Sequence, residues 1–315
     1  MASPDFESLD SGGGFPGRCV LAIGIFDALH RGHSRVLSEA ARFAGEKSAE
    51  LCVLTFFPHP AEVLGRSGEF RGLICPPGLR ARLLKEAGAS RVFFKDFDAD
   101  FASRSPEEFV EFLREKFPGA VGVVTGENFR FGRGAAAGVS WLARRGADFG
   151  IEARAVAGVA EDGLFVSSTR LRRALCVGDM GEFERLAGRP YFAEGEVSGG
   201  KRLGRRMGFP TLNLYWNPDC RPPFGVYVSR LANLETGKVY DGVSSYGTNP
   251  TVENSAPVVE TNLFSDGVDF GEGTRIRVEF LKMLRPEKKF ASVDDLKSQI
   301  ARDKSAAADF FGALE

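Results

Sequence analysis

Two histidines near the N-terminus are the first residues whose types and spacing could do chemistry. His30 and His33 follow a short apolar run and precede a helix that the pattern predicts over residues 34–45. Residues three apart share one face of a helix, and the free N–H groups and positive dipole end of a helix start favour an anion. Both histidines could therefore donate to one triphosphate.

A metal pair and two ordinary polar residues are the alternatives for these histidines. His59 is the only other histidine in the chain, and no nearby acid completes a metal-binding set. We therefore rank phosphate binding above metal ligation, and metal ligation above the chance occurrence of two polar residues.

Two glycine-rich segments match the letters of nucleotide-binding motifs but lack other features that those motifs require. Glycines 12, 14 and 17 precede the first predicted strand, whereas a dinucleotide-binding turn must follow one. We interpret them as a flexible leader. In the second segment, Arg202 follows Gly200 and Lys201, where a Walker A loop needs a Ser or Thr hydroxyl for magnesium. This segment is therefore not a Walker A loop.

The elements that must position these residues fall into two groups. From about residue 18 to 160, short apolar runs alternate with amphipathic segments, which predicts a parallel sheet covered by helices. A capping box at Ser105, with proline at the next position and Glu108 three residues on, predicts a helix start. The predicted strands are residues 19–24, 51–56, 91–94, 121–125 and 151–156. The pattern therefore predicts a Rossmann-like α/β domain for the first half.

After residue 187 the pattern changes to extended segments punctuated by glycine and proline, which predicts a small antiparallel β-barrel. The predicted strands are residues 226–231, 238–243, 258–264 and 275–281. A final helix is predicted from Ser292, with Asp295 three residues on. The expected domains are residues 1–187 and 188–315.

Composition excludes several classes of protein. The 315 residues are 43% hydrophobic and 26% charged, which is typical of a globular protein of about two domains. A net charge of -1 gives no electrostatic footprint for nucleic acid or an anionic membrane. No apolar stretch approaches a membrane span of roughly 20 residues. Five scattered cysteines without a CxxC pair fit a reducing cytoplasm better than a zinc site or a disulfide framework.

The first half resembles the prokaryotic bifunctional riboflavin kinase/FAD synthetases. Its segment from Gly24 to His33 resembles the HxGH motif of nucleotidyltransferases, and the segments 55–60, 126–132 and 166–172 follow in the family's order and spacing. The resemblance implies that the paired histidines act in catalysis on the ATP phosphates. It implies further ATP-binding residues, namely Gly24, Phe26, Asp27, Asn128, Ser168, Thr169 and Arg172.

Three residues of this half are candidates for the wall of a flavin site. They are Phe57, Pro58 and Phe131, and in a chain with 28 phenylalanines a core role is at least as frequent for each aromatic ring. Ser168 and Thr169 could also cap a helix over residues 170–175. The family commonly has glycine after the Asp of its first motif, where this chain has Ala28.

The second half resembles the riboflavin kinase part of the same family, through a glycine-rich segment before Pro-Thr-x-Asn and several later segments. The resemblance implies that Gly200, Gly208, Thr211 and Asn213 bind ATP in this half. It implies that Thr211 and Asn213 also hold Mg²⁺, for which hydroxyl and amide oxygens are suitable ligands.

The same resemblance makes Glu260 the general base for the riboflavin 5′-hydroxyl. The alternative for Glu260 is a strand carboxylate paired with Arg277 or Arg285. The second half departs from the family at two positions. Ser245 stands where family members often have asparagine, and Asn262 stands where they often have histidine.

The leading hypothesis is an enzyme that phosphorylates riboflavin to FMN with ATP and then adenylylates FMN to FAD. The alternatives are an FAD synthetase with a weak or silent kinase domain, and a non-catalytic binder of flavin or nucleotide. A third possibility, cytidylyl transfer, leaves the second half unexplained. The expected partners are ATP, riboflavin and FMN, with no nucleic acid or membrane. The sequence gives no oligomeric state.

Overall fold

The structure is a computed structural model that describes residues 6–65, 68, 70–199, 210–248, 256–265 and 270–314. It divides into two compact units, residues 1–171 and 172–315. Gly200 and Gly208 lie outside the described residues. The division at 187/188 expected from the sequence stays a prediction.

The first unit is built on a six-stranded parallel sheet in the order β1-β4-β3-β2-β5-β8. The strands of this sheet are β1 (Glu7–Ser8), β2 (Cys19–Ile23), β3 (Glu50–Phe57), β4 (Arg91–Asp96), β5 (Ala120–Gly126) and β8 (Glu152–Val156). The inner strands are continuous apolar runs because helices cover both faces. All five predicted strands are present, and with the helices they confirm the predicted α/β fold.

The described residues of this unit also form six helices before Ser168, and two short β-hairpins. The helices are α1 (Arg31–Glu46), α2 (Pro60–Val63), α3 (Pro77–Glu86), α4 (Ala99–Ser103), α5 (Pro106–Lys116) and α6 (Val139–Arg145). The hairpins are β6 (Arg130–Phe131) with β7 (Ala137–Gly138), and β9 (Ala160–Glu161) with β10 (Leu164–Phe165). Short 3₁₀ turns lie at Arg133–Ala135 and Gly146–Phe149.

Local sequence explains how two of these helices begin. Ser105 caps α5 through both bonds of a capping box with Glu108, as predicted. Helix α1 begins at Arg31 rather than at the predicted residue 34, because the imidazole of His30 itself serves as the N-cap. Ring nitrogens can accept an N–H bond in the way that a Ser or Asp oxygen does, and the usual N-cap preferences do not anticipate this.

The expected flexible leader is wrong. Strand β1 pairs in parallel with Phe93 and Phe94 of β4, and Leu9 is buried. Phe15 packs against the phenylalanine-rich core and donates its N–H to the Lys116 carbonyl at 2.8 Å. The glycine pattern failed as a guide because the apolar residues beside it have a place to be buried.

The second unit contains a six-stranded antiparallel sheet in the order β11-β16-β13-β14-β15-β12. The strands are β11 (Tyr191–Glu196), β12 (Leu212–Tyr215), β13 (Gly225–Asn233), β14 (Val239–Gly247), β15 (Val258–Leu263) and β16 (Arg275–Pro286). A bridge between Ser198 and Asn213 joins its two edges, so the sheet is a nearly closed barrel. The predicted barrel is confirmed, although β11 and β12 were missed.

The described residues after the first unit's sheet also contain the helices α7 (Ser168–Val177), α8 (Met180–Ala187) and α9 (Val293–Gly312). The predicted terminal helix is confirmed as α9, with Ser292 accepting the Asp295 N–H. Ala307 and Phe311 of α9 pack on Val226 and Val228 of the barrel. None of the helices in the described ranges is both long and apolar enough to cross a membrane.

Candidate active sites

The first candidate site lies where the strand order of the parallel sheet reverses. The first long strand, β2, lies between β3 and β5, and the chain then builds the sheet outwards in both directions. In open α/β sheets, ligands bind outside the carboxyl ends of the strands at such a switch point. The loop before α1 leaves β2 there, and Asn128 follows the end of β5 as an exposed turn residue.

The two histidines predicted to contact phosphate meet at this position. Their rings are stacked, with centroids 3.7 Å apart and planes within 13°. His30 is 6% exposed, and its Nδ1 accepts the backbone N–H of His33 at 3.3 Å. His33 is half-buried, and its Nδ1 has no hydrogen-bond partner among the described residues. A buried polar atom without a partner is costly, so a ligand atom at this position would be favoured.

The turn that delivers these histidines has an unusual backbone. Phe26, Ala28 and Leu29 have φ angles of 52°, 74° and 44°, and all three are buried. Left-handed backbone outside glycine is strained and persists where surrounding contacts fix it. The ring of Phe26 lies over Gly24, where an added Cβ would come within 3.1 Å of that ring. Gly24 and Phe26 thus form the base of the turn.

Asp27 occupies the centre of this turn. Its fully buried carboxylate accepts the N–H of Ile74 at 3.1 Å and of Cys75 at 2.9 Å. Its carbonyl accepts the hydroxyl of Ser168 at 2.8 Å. Its carboxylate therefore holds a neighbouring loop, and the contact with ATP implied by the family stays a prediction.

Ser168 is the first residue of α7, and the helix is capped differently from expectation. Ser167, not Ser168 or Thr169, accepts the backbone N–H of Arg170 at 3.3 Å. The Ser168 hydroxyl is turned to the Asp27 carbonyl, and Thr169 is exposed. Arg172 follows on the same helix, is 4% exposed and belongs to the second unit.

The three proposed flavin-wall residues are not brought together as one surface. Phe57 is 39% exposed at the end of β3, beside the half-buried Pro58. Phe131 is 6% exposed and packs against Phe109 and Trp141, with ring centroids 4.9 and 5.7 Å away. The core interpretation therefore describes Phe131, and an exposed aromatic surface remains only at Phe57.

The sequence analysis missed Arg80 of α3. This arginine is fully buried, and its Nη1 donates to the carbonyls of Ile25 at 2.7 Å and Phe56 at 3.3 Å. The pKa of His33 lies well below its usual value, first because burial disfavours the charged ring and then because His30 and Arg80 lie nearby. A buried arginine leaves little signal in a sequence, because arginine is also common on exposed helix faces.

The second candidate site lies on neighbouring strands of the barrel. Asn213 of β12 is directly opposite Glu260 of β15, which is directly opposite Ser245 of β14. Directly opposed residues project to the same face of a sheet. The structure thus brings Asn213 and Glu260 together, and the half-buried Thr211 lies just before β12.

The donor set fits a magnesium ion held jointly with phosphates. The Oδ1 atom of Asn213 is buried without a hydrogen-bond partner among the described residues. A hard cation prefers such an oxygen, and Mg²⁺ usually takes only one or two protein ligands beside phosphates and waters. In the part of the chain that the structure describes, no cluster of three His, Cys, Asp or Glu residues offers another metal site.

Glu260 has a raised pKa, because desolvation by the surrounding protein disfavours its charged form although the side chain keeps an exposed portion. The two arginines proposed as alternative partners are bonded elsewhere. Arg277 donates to Glu194 at 2.6 Å, and Arg285 donates to Asp303 at 2.8 Å. The ion-pair alternative for Glu260 is therefore wrong.

The two departures from the family pattern both lie beside this carboxylate. Ser245 is opposite Glu260 across β14 and β15. Asn262 lies two residues along β15, on the same face, and its Nδ2 donates to the Pro210 carbonyl at 2.7 Å. Asn262 thus tethers the segment that carries Thr211, a structural role the sequence did not reveal.

Comparison with known proteins gives the same division into two activities. A family model described as FAD synthetase matches residues 14–170, and one described as riboflavin kinase matches residues 187–311. The bifunctional riboflavin kinase/FMN adenylyltransferase of Escherichia coli strain K12 is 33% identical over 294 residues, covering 93% of each chain. That of Bacillus subtilis strain 168 is 34% identical over 307 residues, covering 94% of each.

A solved structure described as a macrolide-efflux protein from Streptococcus pneumoniae is also similar. It has a TM-score of 0.80 and 29% sequence identity, over 93% of this chain and 94% of that chain. The likeness therefore extends over both halves.

Proposed function

Because this chain belongs to the family of bifunctional riboflavin kinase/FMN adenylyltransferases, we propose how its two candidate sites divide the chemistry. The chain is an enzyme with a riboflavin kinase domain and an FAD synthetase domain. It phosphorylates riboflavin to FMN and adenylylates FMN to FAD. The relatives support these two activities rather than a binder without catalysis or a cytidylyltransferase.

In the adenylyl transfer, a phosphate oxygen of FMN attacks the α-phosphorus of ATP, and pyrophosphate leaves as the bond to the β-phosphate breaks. Such a displacement depends on in-line placement and charge neutralisation more than on a strong base. We assign His30 and His33 to the ATP phosphates. Gly24, Phe26 and Asp27 form the turn beneath them, and Asn128, Ser168 and Thr169 complete the proposed ATP site of the first unit.

The stacked histidine pair at the switch point is the observation that carries this assignment. The Nδ1 atom of His33 is buried with no hydrogen-bond partner among the described residues, and it lies beside a helix start. Both features favour an anion at this position. Phe57 and Pro58 are proposed flavin contacts, since Phe57 leaves part of its ring exposed. Phe131 is omitted from that proposal.

In the kinase reaction, Glu260 accepts the proton of the riboflavin 5′-hydroxyl as that oxygen bonds to the γ-phosphorus and ADP leaves. General-base catalysis is worth about 10²–10⁴ in rate, and a raised carboxylate pKa improves the match to neutral pH. Thr211 and Asn213 would hold Mg²⁺ together with phosphate oxygens. When bound, the ion supplies positive charge to the γ-phosphoryl group.

The test is a product assay from two starting points. Purified protein with ATP and Mg²⁺ is incubated with riboflavin in one reaction and with FMN in another, and flavins are separated by chromatography. We expect FMN followed by FAD in the first reaction, FAD in the second, and neither conversion with a chelator in excess. FAD from FMN with no product from riboflavin would leave a silent kinase domain. No product in either would overturn the proposal.

We also propose a cytoplasmic location and a domain boundary near residue 187. A reducing cytoplasm suits the cysteine pattern, and a boundary near residue 187 suits the start of the riboflavin kinase match. Small-molecule substrates account for both sites without nucleic acid.

A further inference from the structure

Arg80 is the one candidate whose position in the fold is not explained by packing alone. Its side chain is fully buried in the first unit, where an arginine is rare unless its charge and donors are used. Only Nη1 donates to the described protein, and both Nε and Nη2 are buried without a partner among the described residues. Its guanidinium also lies 4.9 Å from the ring centroid of Phe94.

Two donors, Arg80 and Thr55, converge on the carbonyl oxygen of Ile25. The Ile25 carbonyl accepts Nη1 of Arg80 at 2.7 Å and the hydroxyl of Thr55 at 2.9 Å. Thr55 is itself fully buried on β3. Two donors on one carbonyl fix the orientation of the peptide between Ile25 and Phe26, which is where the left-handed turn begins.

That peptide controls where the histidines lie. Residues 26, 28 and 29 all have positive φ angles, so the backbone reverses within four residues between β2 and the cap of α1. The Asp27 carboxylate holds the same turn to Ile74 and Cys75, just before α3. Arg80 and Asp27 therefore both fix the turn, and a strained backbone persists only under such constraint.

We propose that Arg80 is a positioning residue for adenylyl transfer: its guanidinium holds the Ile25 carbonyl and so fixes the turn that presents His30 and His33 to the ATP phosphates. This inference rests on the proposed function of that site. A displacement of about 1 Å in a catalytic group can cost 10²-fold in rate, so loss of this bond should affect kcat strongly. The KM for FMN should change by a smaller factor, through the longer 3.3 Å bond from Nη1 to the Phe56 carbonyl beside the proposed flavin contact Phe57.

The experiment measures both reactions of the full chain in three arginine variants. Arg80→Met should lower kcat for FAD formation about 100-fold, while riboflavin phosphorylation stays near the wild-type rate. Arg80→Lys keeps a charged donor and should recover at least roughly tenfold of that loss. Arg82→Met is the matched control on the same helix, where Arg82 pairs with Glu86, and it should form FAD normally.

Thr55→Val provides a second route that keeps the arginine. The substitution removes the hydroxyl bond to the Ile25 carbonyl and the longer 3.4 Å contact of Arg80 Nη1 with the same hydroxyl, so kcat for FAD formation should fall by about tenfold. If Arg80→Met fails to fold, this variant decides the question. If both variants lower kcat for FAD formation and leave the rate of riboflavin phosphorylation unchanged, Arg80 acts by positioning the turn.

Two outcomes would overturn the inference. One is a normal kcat for FAD formation in both Arg80→Met and Thr55→Val. The other is an equal fall of both reactions together with an earlier thermal unfolding, which would make Arg80 a stabilising residue only. Failure of the proposed function itself looks different, since the wild-type chain would then form no FAD.

Discussion

At the scale of single residues, the histidine pair combines burial with an unused ring nitrogen. Burial, His30 and Arg80 all disfavour a proton on His33, so its ring is neutral at pH 7 in the free protein. A neutral ring still donates one N–H, and a triphosphate beside it would favour a second proton. The site is thus prepared to gain charge when its anionic ligand arrives.

This leads to a prediction about the titration of His33. With labelled histidine, the chain gives ring signals from three histidines only, and the signal that His33→Asn removes should titrate well below pH 6.5. Adding pyrophosphate should raise that pKa, because a nearby opposite charge favours the protonated ring. Arg80→Met should also raise it. A pKa at or above 6.5 in the free protein would contradict this account.

Glu260 carries the corresponding prediction in the kinase half. Its folded-state pKa is raised, so its contribution to stability is present at low pH and is lost as the pH rises through that pKa. Glu260→Gln removes the ionisation, and the melting temperature of the variant should gain on wild type as pH rises from 4 to 7. FMN formation should meanwhile fall about 10²–10⁴-fold.

The control for Glu260→Gln is the other reaction of the same chain. FAD formation from FMN should be unchanged, which shows that the protein is folded. A melting temperature that falls further below wild type with rising pH would mean that the carboxylate is stabilised by a partner rather than desolvated.

At the scale of elements, the turn before α1 tests how strain and packing balance. Ala28 is fully buried with a φ of 74°. Replacing it by glycine removes roughly 1–2 kcal/mol of left-handed strain. It also loses about 0.8 kcal/mol of methyl burial and about 0.5–1 kcal/mol through the freer unfolded chain.

These opposing contributions predict that Ala28→Gly changes the free energy of unfolding by less than about 1 kcal/mol. FAD formation should remain in this variant, because glycine adopts the same left-handed conformation without strain. Ala28→Val adds a branched side chain at a strained, closed position and should destabilise by about 1–3 kcal/mol. Chemical denaturation of both variants provides the measurement, and a strongly destabilised glycine variant would contradict the balance.

The elements also show what sequence can predict. Long apolar strands such as β3 and β5 and the capping box of α5 are local signals, so their type and approximate bounds followed from pattern alone. Strands β11 and β12 were missed because their pairing depends on distant partners, Phe280 and Glu260 among them. The leader was misjudged for the same reason, since β1 exists only through its pairing with β4.

Prediction of the sites had similar limits. The histidine pair was proposed because histidine is rare in this chain and the spacing fits one face of a helix start, whereas Glu260 was proposed from the family resemblance. Arg80 and the Asn262 tether were not found, because each acts through a backbone atom brought close only by the fold. The Ser167 cap is a local bond to the Arg170 N–H, and the neighbouring Ser168 and Thr169 offer similar hydroxyls in the sequence. Phe131 was left open between a flavin wall and the core, because sequence cannot distinguish an aromatic residue in a core from one in a pocket.

At the scale of the whole molecule, two compact units each carry one candidate set of catalytic residues. The histidine pair lies in residues 1–171 and Glu260 in residues 172–315. If each reaction uses its own site, FMN made at one site can be released and used by another molecule. Two defective chains should then complement each other in a mixture.

The variants for this test are His30→Asn and Glu260→Gln. Asparagine retains an N-cap acceptor for α1 but lacks the imidazole, so the helix should survive while adenylyl transfer falls about 100-fold or more. With riboflavin, ATP and Mg²⁺, His30→Asn should accumulate FMN. Glu260→Gln should form almost no product from riboflavin but should convert added FMN to FAD.

An equimolar mixture of these two variants should form FAD from riboflavin after a lag in which free FMN builds up. The lag distinguishes exchange through solution from direct transfer within one chain, because direct transfer cannot connect sites on separate molecules. Diluting the mixture should lengthen the lag, and wild type at the same concentration of each site should show the same lengthening. A smaller effect of dilution on wild type would indicate direct transfer within one chain. Equal loss of both reactions in either single variant would contradict independent sites, and circular dichroism would show whether that variant had simply unfolded.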